Sequence, residues 1–223
     1  ATRLDPQGRP TPLIAETGGM NAMIVDSSAL TEQVVIDVLA SAFDSAGQRC
    51  SALRVLCLQE EIADHTLTML RGAMAECRMG NPGRLSTDIG PVIDAEAKAG
   101  IEQHIQAMRD KGRNVFQAAR DNSDDVREWR SGTFVTPTLI ELESFDELKQ
   151  EIFGPVLHVV RYRRKDIDTL IAQINASGYG LTLGVHTRID ETIAKVTGQA
   201  NVGNLYVNRN MVGAVVGVQP FGG

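Results

Sequence analysis

The sequence predicts a three-layer α/β fold built on a mostly parallel sheet. Short apolar runs of strand type alternate along the chain with longer segments in which apolar residues recur at helical spacing. Strands that alternate with helices form right-handed crossover units, so their strands run parallel and their helices cover the sheet.

Each predicted element follows from its periodicity and from the residue that ends it. The first helix has apolar residues three and four positions apart and stops at Gly47, and a later helix stops at Gly112. Helices are predicted at Thr31–Ala46, Glu61–Cys77, Ala95–Lys111, Asp166–Ala176 and Glu191–Thr197, and strands at Leu53–Leu58, Val115–Gln117, Phe134–Leu139, Val156–Tyr162, Leu181–His186 and Asn204–Val207.

Composition places the chain among globular proteins of the cytoplasm. It has 223 residues, 43% of them hydrophobic and 22% charged, and a net charge of −6, which argues against a nucleic acid partner. The sequence has no secretory signal and no membrane span, since the apolar run Met211–Val218 is short and broken by glycine. The three cysteines, Cys50, Cys57 and Cys77, are unpaired in their spacing, which favours a reducing compartment.

The two ends of the chain indicate a piece of a longer protein. Neither Ala1 nor Gly223 has the features of a natural terminus. Residues 1–12 hold two prolines and little periodicity, so we expect a linker or the remnant of a preceding element, and residues 13–223 are expected to form one catalytic domain. The polar stretch Arg120–Ser131 is predicted to be a surface loop.

Cys50 is the first candidate for chemistry. It follows a helix and a glycine turn and stands next to Arg49, and a nearby positive charge with backbone N–H groups favours a thiolate nucleophile. A buried structural cysteine is the alternative interpretation, and from residue type alone it is the more common case. Cys57 and Cys77 lie in apolar periodic segments, for which the structural interpretation is kept.

Two acidic positions are further candidates. Glu16 stands between apolar residues and two glycines, where it is either a general base or a surface turn residue. Glu151 and Phe153 precede a Gly-Pro turn, where a carboxylate and an aromatic ring could hold a ribose and a flat ring, or could simply open a strand. The four histidines are scattered without metal-ligand spacing, so no metal site is predicted, and no Gly-x-Gly-x-x-Gly or P-loop motif is present.

Taken together and in order, these stretches resemble the aldehyde dehydrogenase superfamily. Each motif is weak or moderate alone, but five in the correct order make chance agreement very unlikely, and they favour the functional interpretation of Cys50, Glu16, Glu151 and Phe153. The matching stretches are Glu16-Thr17-Gly18-Gly19, Gly47-Gln48-Arg49-Cys50, Gly80-Asn81-Pro82 with Asp88-Ile89-Gly90-Pro91, Gly132–Thr138 and Glu151-Ile152-Phe153-Gly154-Pro155.

A closer resemblance, carried by Asp44–Arg54 and Asn204–Gly223, is to the dehydrogenase module of the bacterial proline utilization A family. It implies oxidation of L-glutamate γ-semialdehyde, the open form of 1-pyrroline-5-carboxylate, to glutamate, with Cys50 as nucleophile and Glu16 as the base that activates water. Glu151 and Phe153 would bind NAD. The substrate carboxylate would be held by Ser51 and by the backbone of Gly213 and Ala214, and the aldehyde pocket would be lined by Phe221.

The resemblance also implies which partners this segment needs and how little activity it has alone. The family's cofactor domain lies mostly before the glutamate motif, so we expect this segment to depend on the rest of a parent chain, to form a homo-oligomer, and to have negligible activity alone. FAD would belong only to a proline dehydrogenase part of the parent, which in this family can also contact membranes peripherally. Two other functions stay open: an aldehyde dehydrogenase of acylating type or different substrate, against which Glu16 argues, and a non-catalytic assembly module, against which Cys50 and Glu16 argue.

Overall fold

A computed structural model describes residues 3–10, 18–118, 132–215, 217–219 and 221–222. These residues form five α-helices and seven strands. The helices are α1 (Thr31–Phe43), α2 (Glu60–Glu76), α3 (Ala95–Asp110), α4 (Ile167–Ala176) and α5 (Asp190–Gln199), and the strands are β1 (Ala22–Val25), β2 (Val55–Gln59), β3 (Val115–Gln117), β4 (Thr138–Leu142), β5 (Val156–Tyr162), β6 (Thr182–His186) and β7 (Asn204–Val207).

The seven strands form one sheet in the order β3-β4-β5-β2-β1-β6-β7. All neighbouring pairs are parallel except β3 with β4 at one edge. The parallel crossover through α1 runs toward β3, and those through α4 and α5 run toward β7. Because crossovers between parallel strands are right-handed, α1 lies on the opposite face of the sheet from α4 and α5. Helix α2 packs against α1. The predicted three-layer, mostly parallel α/β class is confirmed.

The centre of the sheet is buried on both faces. All residues of β1 and β2 are buried, as expected for parallel strands that carry helices on each side. The prediction missed β1, although its sequence, Ala-Met-Ile-Val, is a continuous apolar run of the kind that a doubly covered strand requires. The strand was missed because it is short and its residues do not alternate between apolar and polar.

Two predicted boundaries differ from the structure for local reasons. Helix α1 ends at Phe43, three residues before the predicted end, because Ser45 and Ala46 adopt left-handed backbone conformations that no α-helix accommodates. Strand β4 begins at Thr138 instead of Phe134, directly after Pro137, which has no N–H to donate to a ladder. The other helices and strands lie within two residues of their predicted bounds.

Several predictions concern segments that the structure describes only in part. The predicted loop Arg120–Ser131 lies outside the described residues, as do Ala1, Thr2 and residues 11–17. Within the first segment, Leu4 and Pro10 form an antiparallel bridge around a turn closed by Asp5 and Arg9. The domain boundary near residue 12 therefore stays a prediction. Among the helices that the structure describes, none is long and apolar enough to cross a membrane.

Candidate active site

The predicted motifs meet at the amino-terminal edge of the parallel sheet. Asn21 immediately precedes β1, Arg54 precedes β2, Pro155 precedes β5 and Thr182 opens β6. Parallel strands share one direction, so the segments that enter them converge on one edge. Ligands of open α/β sheets more commonly lie outside the carboxyl ends of the strands.

The turn before Cys50 has an unusual backbone. Ser45, Ala46 and Gly47 all have positive φ angles, of 56°, 54° and 66°. For a residue with a side chain this conformation costs about 1–2 kcal/mol, so it persists only where surrounding contacts impose it. At Gly47 a Cβ atom would also lie 2.7 Å from Gly154 C and 2.8 Å from Ala42 O, so that only glycine fits. The turn brings the chain against the segment that enters β5.

Asn21 holds the carbonyl groups on either side of Ser51. Its buried side-chain amide donates to Cys50 O at 2.7 Å and to Ala52 O at 2.9 Å. Its Oδ1 accepts from the backbone N–H of Thr182 at 3.1 Å. One amide thereby fixes the cysteine segment to the entrances of β1 and β6.

Arg54 is the most heavily bonded side chain of the site. It is fully buried, and all five of its N–H groups donate. Nη1 donates to Gly47 O at 2.7 Å and to Gly154 O at 3.3 Å. Nη2 donates to Arg49 O at 3.2 Å and to Glu151 Oε1 at 2.9 Å, and Nε donates to the same Oε1 at 3.0 Å.

Glu151 joins the remaining motif to this arrangement. Its second oxygen, Oε2, accepts from the backbone N–H of Gly19 at 3.0 Å. The ring of Phe153 lies 5.0 Å from the Arg54 guanidinium carbon, in the geometry of a cation–π contact. Gly19, the turn before Cys50 and the Glu-x-Phe motif therefore meet through one arginine–glutamate pair.

Electrostatics explains why this buried cation is tolerated. Burial lowers the pKa of Arg54, while the charge and hydrogen bond of Glu151 act in the opposite direction. Arginine stays charged because its ordinary pKa is so high. The sequence pointed to Arg49 as a cation near the thiol, and Arg49 donates from Nε to Ser45 Oγ at 3.1 Å. The structure adds Arg54 as a buried cation that bonds Gly47 O and Arg49 O in the turn before Cys50.

A pair of histidines supports the backbone of Arg54. His158, fully buried on β5, has Nδ1 3.2 Å from Arg54 O and Nε2 2.8 Å from Nε2 of His104. A carbonyl only accepts, so Nδ1 carries the proton, Nε2 of His158 accepts, and His104 donates. Burial, chiefly, and the His104 charge lower the pKa of His158 to about 3, so it stays neutral.

The thiols of the other two cysteines have raised pKa values. Cys57 is completely buried on β2, and burial raises the pKa of its thiol to about 12. Burial, helped by Asp88 and other acidic groups, raises the pKa of Cys77 to about 11. Both stay protonated at neutral pH, in agreement with the structural interpretation of these two residues.

The segment predicted to bind the substrate carboxylate follows β7. Gly213 is exposed with a φ of 84°, next to the half-buried Ala214. The segment is anchored to α1, because the Met211 N–H donates to Ser41 Oγ at 3.0 Å, and α1 in turn leads into the Cys50 turn. Ser51 is buried beside Cys50, and Phe221 has 46% of its surface exposed.

One predicted residue lies beyond what the structure describes, and two contributors were not foreseen. Glu16 is outside the described residues, although Gly18 and Gly19 of its motif are placed against Glu151. Arg54 and Asn21 were assigned no role from sequence. Arg54 could have been noticed as a charge at the start of an apolar strand. Within the described residues no group of three or more histidine, cysteine or acidic side chains could hold a metal ion.

Comparison with known proteins identifies the family of this chain. The sequence model of the aldehyde dehydrogenase family matches residues 5–223. The bifunctional protein PutA of Klebsiella aerogenes is 87% identical over all of this chain, which spans only 17% of that protein.

Two solved structures share the fold. A single-residue variant of Bradyrhizobium japonicum proline utilization A has a TM-score of 0.88 and 50% identity, over 96% of this chain and 21% of its own. A 1-pyrroline-5-carboxylate dehydrogenase from Thermus, solved with bound NAD, has a TM-score of 0.80 and 34% identity, over 93% of this chain and 39% of its own.

Proposed function

The chain belongs to the aldehyde dehydrogenase family, and on that premise we propose that it forms the catalytic part of an NAD-dependent L-glutamate γ-semialdehyde dehydrogenase. The observation that carries the proposal is the Arg54–Glu151 pair, which joins the turn before Cys50, a carboxylate and an exposed aromatic ring at one sheet edge. The names of the relatives, proline utilization A and 1-pyrroline-5-carboxylate dehydrogenase, support the substrate.

Cys50 is the proposed nucleophile. Its thiolate attacks the aldehyde carbon, and its own backbone N–H is one donor to the oxyanion that forms. After oxidation the acyl group remains on sulfur as a thioester. Glu16 then removes a proton from the water that attacks this thioester and releases glutamate.

The substrate carboxylate is assigned to the segment after β7. The backbone N–H groups of Gly213 and Ala214 and the hydroxyl of Ser51 are the proposed donors, and Phe221 is proposed to line the aldehyde pocket. The left-handed φ of Gly213 supports this role, since it turns the backbone in a way that frees N–H groups for an anion.

The residues present fit one end of NAD. Glu151 offers carboxylate lone pairs to ribose hydroxyls, and the ring of Phe153 is 44% exposed and available for a flat partner. When bound, the nicotinamide supplies the hydride acceptor. The sequence carries no glycine-rich phosphate loop, so the rest of the cofactor would be held by other parts of a longer chain. We therefore propose that these 223 residues alone bind NAD⁺ weakly and turn over negligibly.

The test uses the full-length natural chain that contains these residues. Cys50→Ala should abolish semialdehyde oxidation, a loss of about 10³-fold or more, whereas the control Cys77→Ala should stay near wild type. Glu16→Gln should accumulate the thioester, visible by intact mass, because hydrolysis slows more than acylation. Wild-type turnover in the Cys50→Ala variant, or in Glu16→Gln, would contradict the corresponding assignment.

A further inference from the structure

Arg54 connects two parts of the site that perform different tasks. Three of its hydrogen bonds go to backbone carbonyls, those of Gly47 and Arg49 in the cysteine turn and that of Gly154. The other two go to one oxygen of Glu151, at 2.9 and 3.0 Å. The same planar group therefore sets the turn that carries the thiol and the carboxylate proposed to meet the cofactor.

We propose that Arg54 is a positioning residue, which fixes the Cys50 turn and the Glu151 carboxylate relative to each other. The inference rests on the proposed function. It adds the group that fixes the position of the Cys50 turn relative to the carboxylate proposed to bind NAD. Small misplacement of reacting groups lowers rates strongly. The left-handed turn at Ser45 and Ala46 needs external contacts to persist, and the Arg54 bonds to Gly47 O and Arg49 O are contacts of that kind.

Lysine cannot perform this task. An ammonium group has three N–H donors around one point, whereas Arg54 uses five in a plane. The conservative variant Arg54→Lys therefore keeps the positive charge but removes the planar set of five hydrogen-bond donors. The matched control is Arg71→Lys, since Arg71 also pairs with a glutamate and lies over a phenylalanine ring, but at a distance from the site.

The first measurement is the rate at which iodoacetamide alkylates each cysteine in the full-length protein, without substrate or NAD⁺, resolved by peptide mass spectrometry. We expect Arg54→Lys to slow labelling of Cys50 by about fivefold or more, with Arg71→Lys unchanged. Labelling of the buried Cys57 should stay at the wild-type rate. A rise in Cys57 labelling would mean general loosening, which assigns Arg54 a merely structural role and overturns the proposal.

The second measurement is the split between kinetic constants. Displacement of Glu151 should raise the KM for NAD⁺ about tenfold in Arg54→Lys, with a smaller change in the KM for aldehyde, while kcat falls through the cysteine turn. A Cys50 labelling rate and a KM for NAD⁺ both within about twofold of wild type would overturn the proposal.

Glu151→Gln keeps the test decisive if Arg54→Lys does not fold. It weakens the arginine pair without touching the thiol, so slower Cys50 labelling in the absence of NAD⁺ would show that the effect travels through Arg54. An unchanged rate would count against the proposal. Labelling needs neither substrate nor cofactor, so an inactive wild-type enzyme would contradict the proposed function and leave this result standing.

Discussion

Two clusters in this molecule have the same three residue types and different surroundings. Arg54 pairs with Glu151 beside Phe153 at the amino edge of the sheet, and Arg71 on α2 pairs with Glu141 at 2.7 Å and lies 5.7 Å from the ring centroid of Phe116. The side chain of Arg54 is fully buried, whereas that of Arg71 is 31% exposed.

The difference lies in how fully each guanidinium is used. All five N–H groups of Arg54 donate to protein atoms, but the Nε of Arg71 has no partner among the described residues. A fully buried charge is tolerated only when its hydrogen bonds are complete. Arg71 leaves its Nε buried without a partner in the described part of the chain, and solvent reaches only the exposed part of its side chain. The same residue types therefore form a fully bonded junction in one place and a partly exposed, incompletely bonded pair in the other.

The largest expected effect comes from removing each cation in turn. Arg54→Met should lower the free energy of unfolding by about 3–5 kcal/mol, because it leaves the Glu151 carboxylate buried without its partner. Arg71→Met should cost about 1 kcal/mol or less. Urea denaturation followed by circular dichroism measures both, and equal losses would remove the distinction between the clusters.

A pair of glycine substitutions tests the backbone beside each arginine. Gly47→Ala places a Cβ against Gly154 and Ala42 at positive φ, and should cost about 2–4 kcal/mol from strain and overpacking. Gly72→Ala lies next to Arg71 inside α2, where an added Cβ meets nothing within 4 Å. It should stabilise the protein by about 0.5–1 kcal/mol, since alanine is the better helix former. Thermal unfolding compares them, and a destabilising Gly72→Ala would contradict the account of that helix.

The smallest expected effect is a change in the free energy of unfolding with pH. It is expected from His158, which contacts Arg54, and among the described residues the Arg71 cluster has no counterpart. The folded-state pKa of His158 is about 3, below its ordinary value, so the unfolded chain takes up the proton first as pH falls. This residue should therefore remove about 1.4 kcal/mol of stability per pH unit between about pH 6 and about pH 3, where the folded state is protonated as well.

Denaturation midpoints at pH 7, 6 and 5 measure that slope. His158→Gln should reduce the slope by the amount that corresponds to uptake of about one proton on unfolding. The control variant His65→Gln replaces an exposed histidine and should leave the wild-type slope. A wild-type slope in His158→Gln would mean that another group carries the acid sensitivity.

Much of the fold could be predicted because it depends on local patterns. Periodicity identified all five helices of the described residues and six of the seven strands, and alternation predicted parallel pairing. Strand β1 was not predicted because a short, fully apolar run has no hydrophobic periodicity. The end of α1 was placed too late because nothing local in Ser45 or Ala46 demands a left-handed backbone. The roles of Cys50, Glu16, Phe221 and the rest of the predicted site stay predictions, although the structure brings Cys50, Glu151 and Phe153 to one place.

The sequence by itself determined the order of elements, the chemistry available at Cys50 and Glu151, and the family to which the motifs point. Only the tertiary structure decided which cation joins them. Arg54 is four residues from Cys50 but 97 from Glu151 and 100 from Gly154 along the chain. Its bonds to those distant partners exist because parallel strands bring their entrances to one edge, and no local pattern records which distant carbonyls a buried guanidinium will meet.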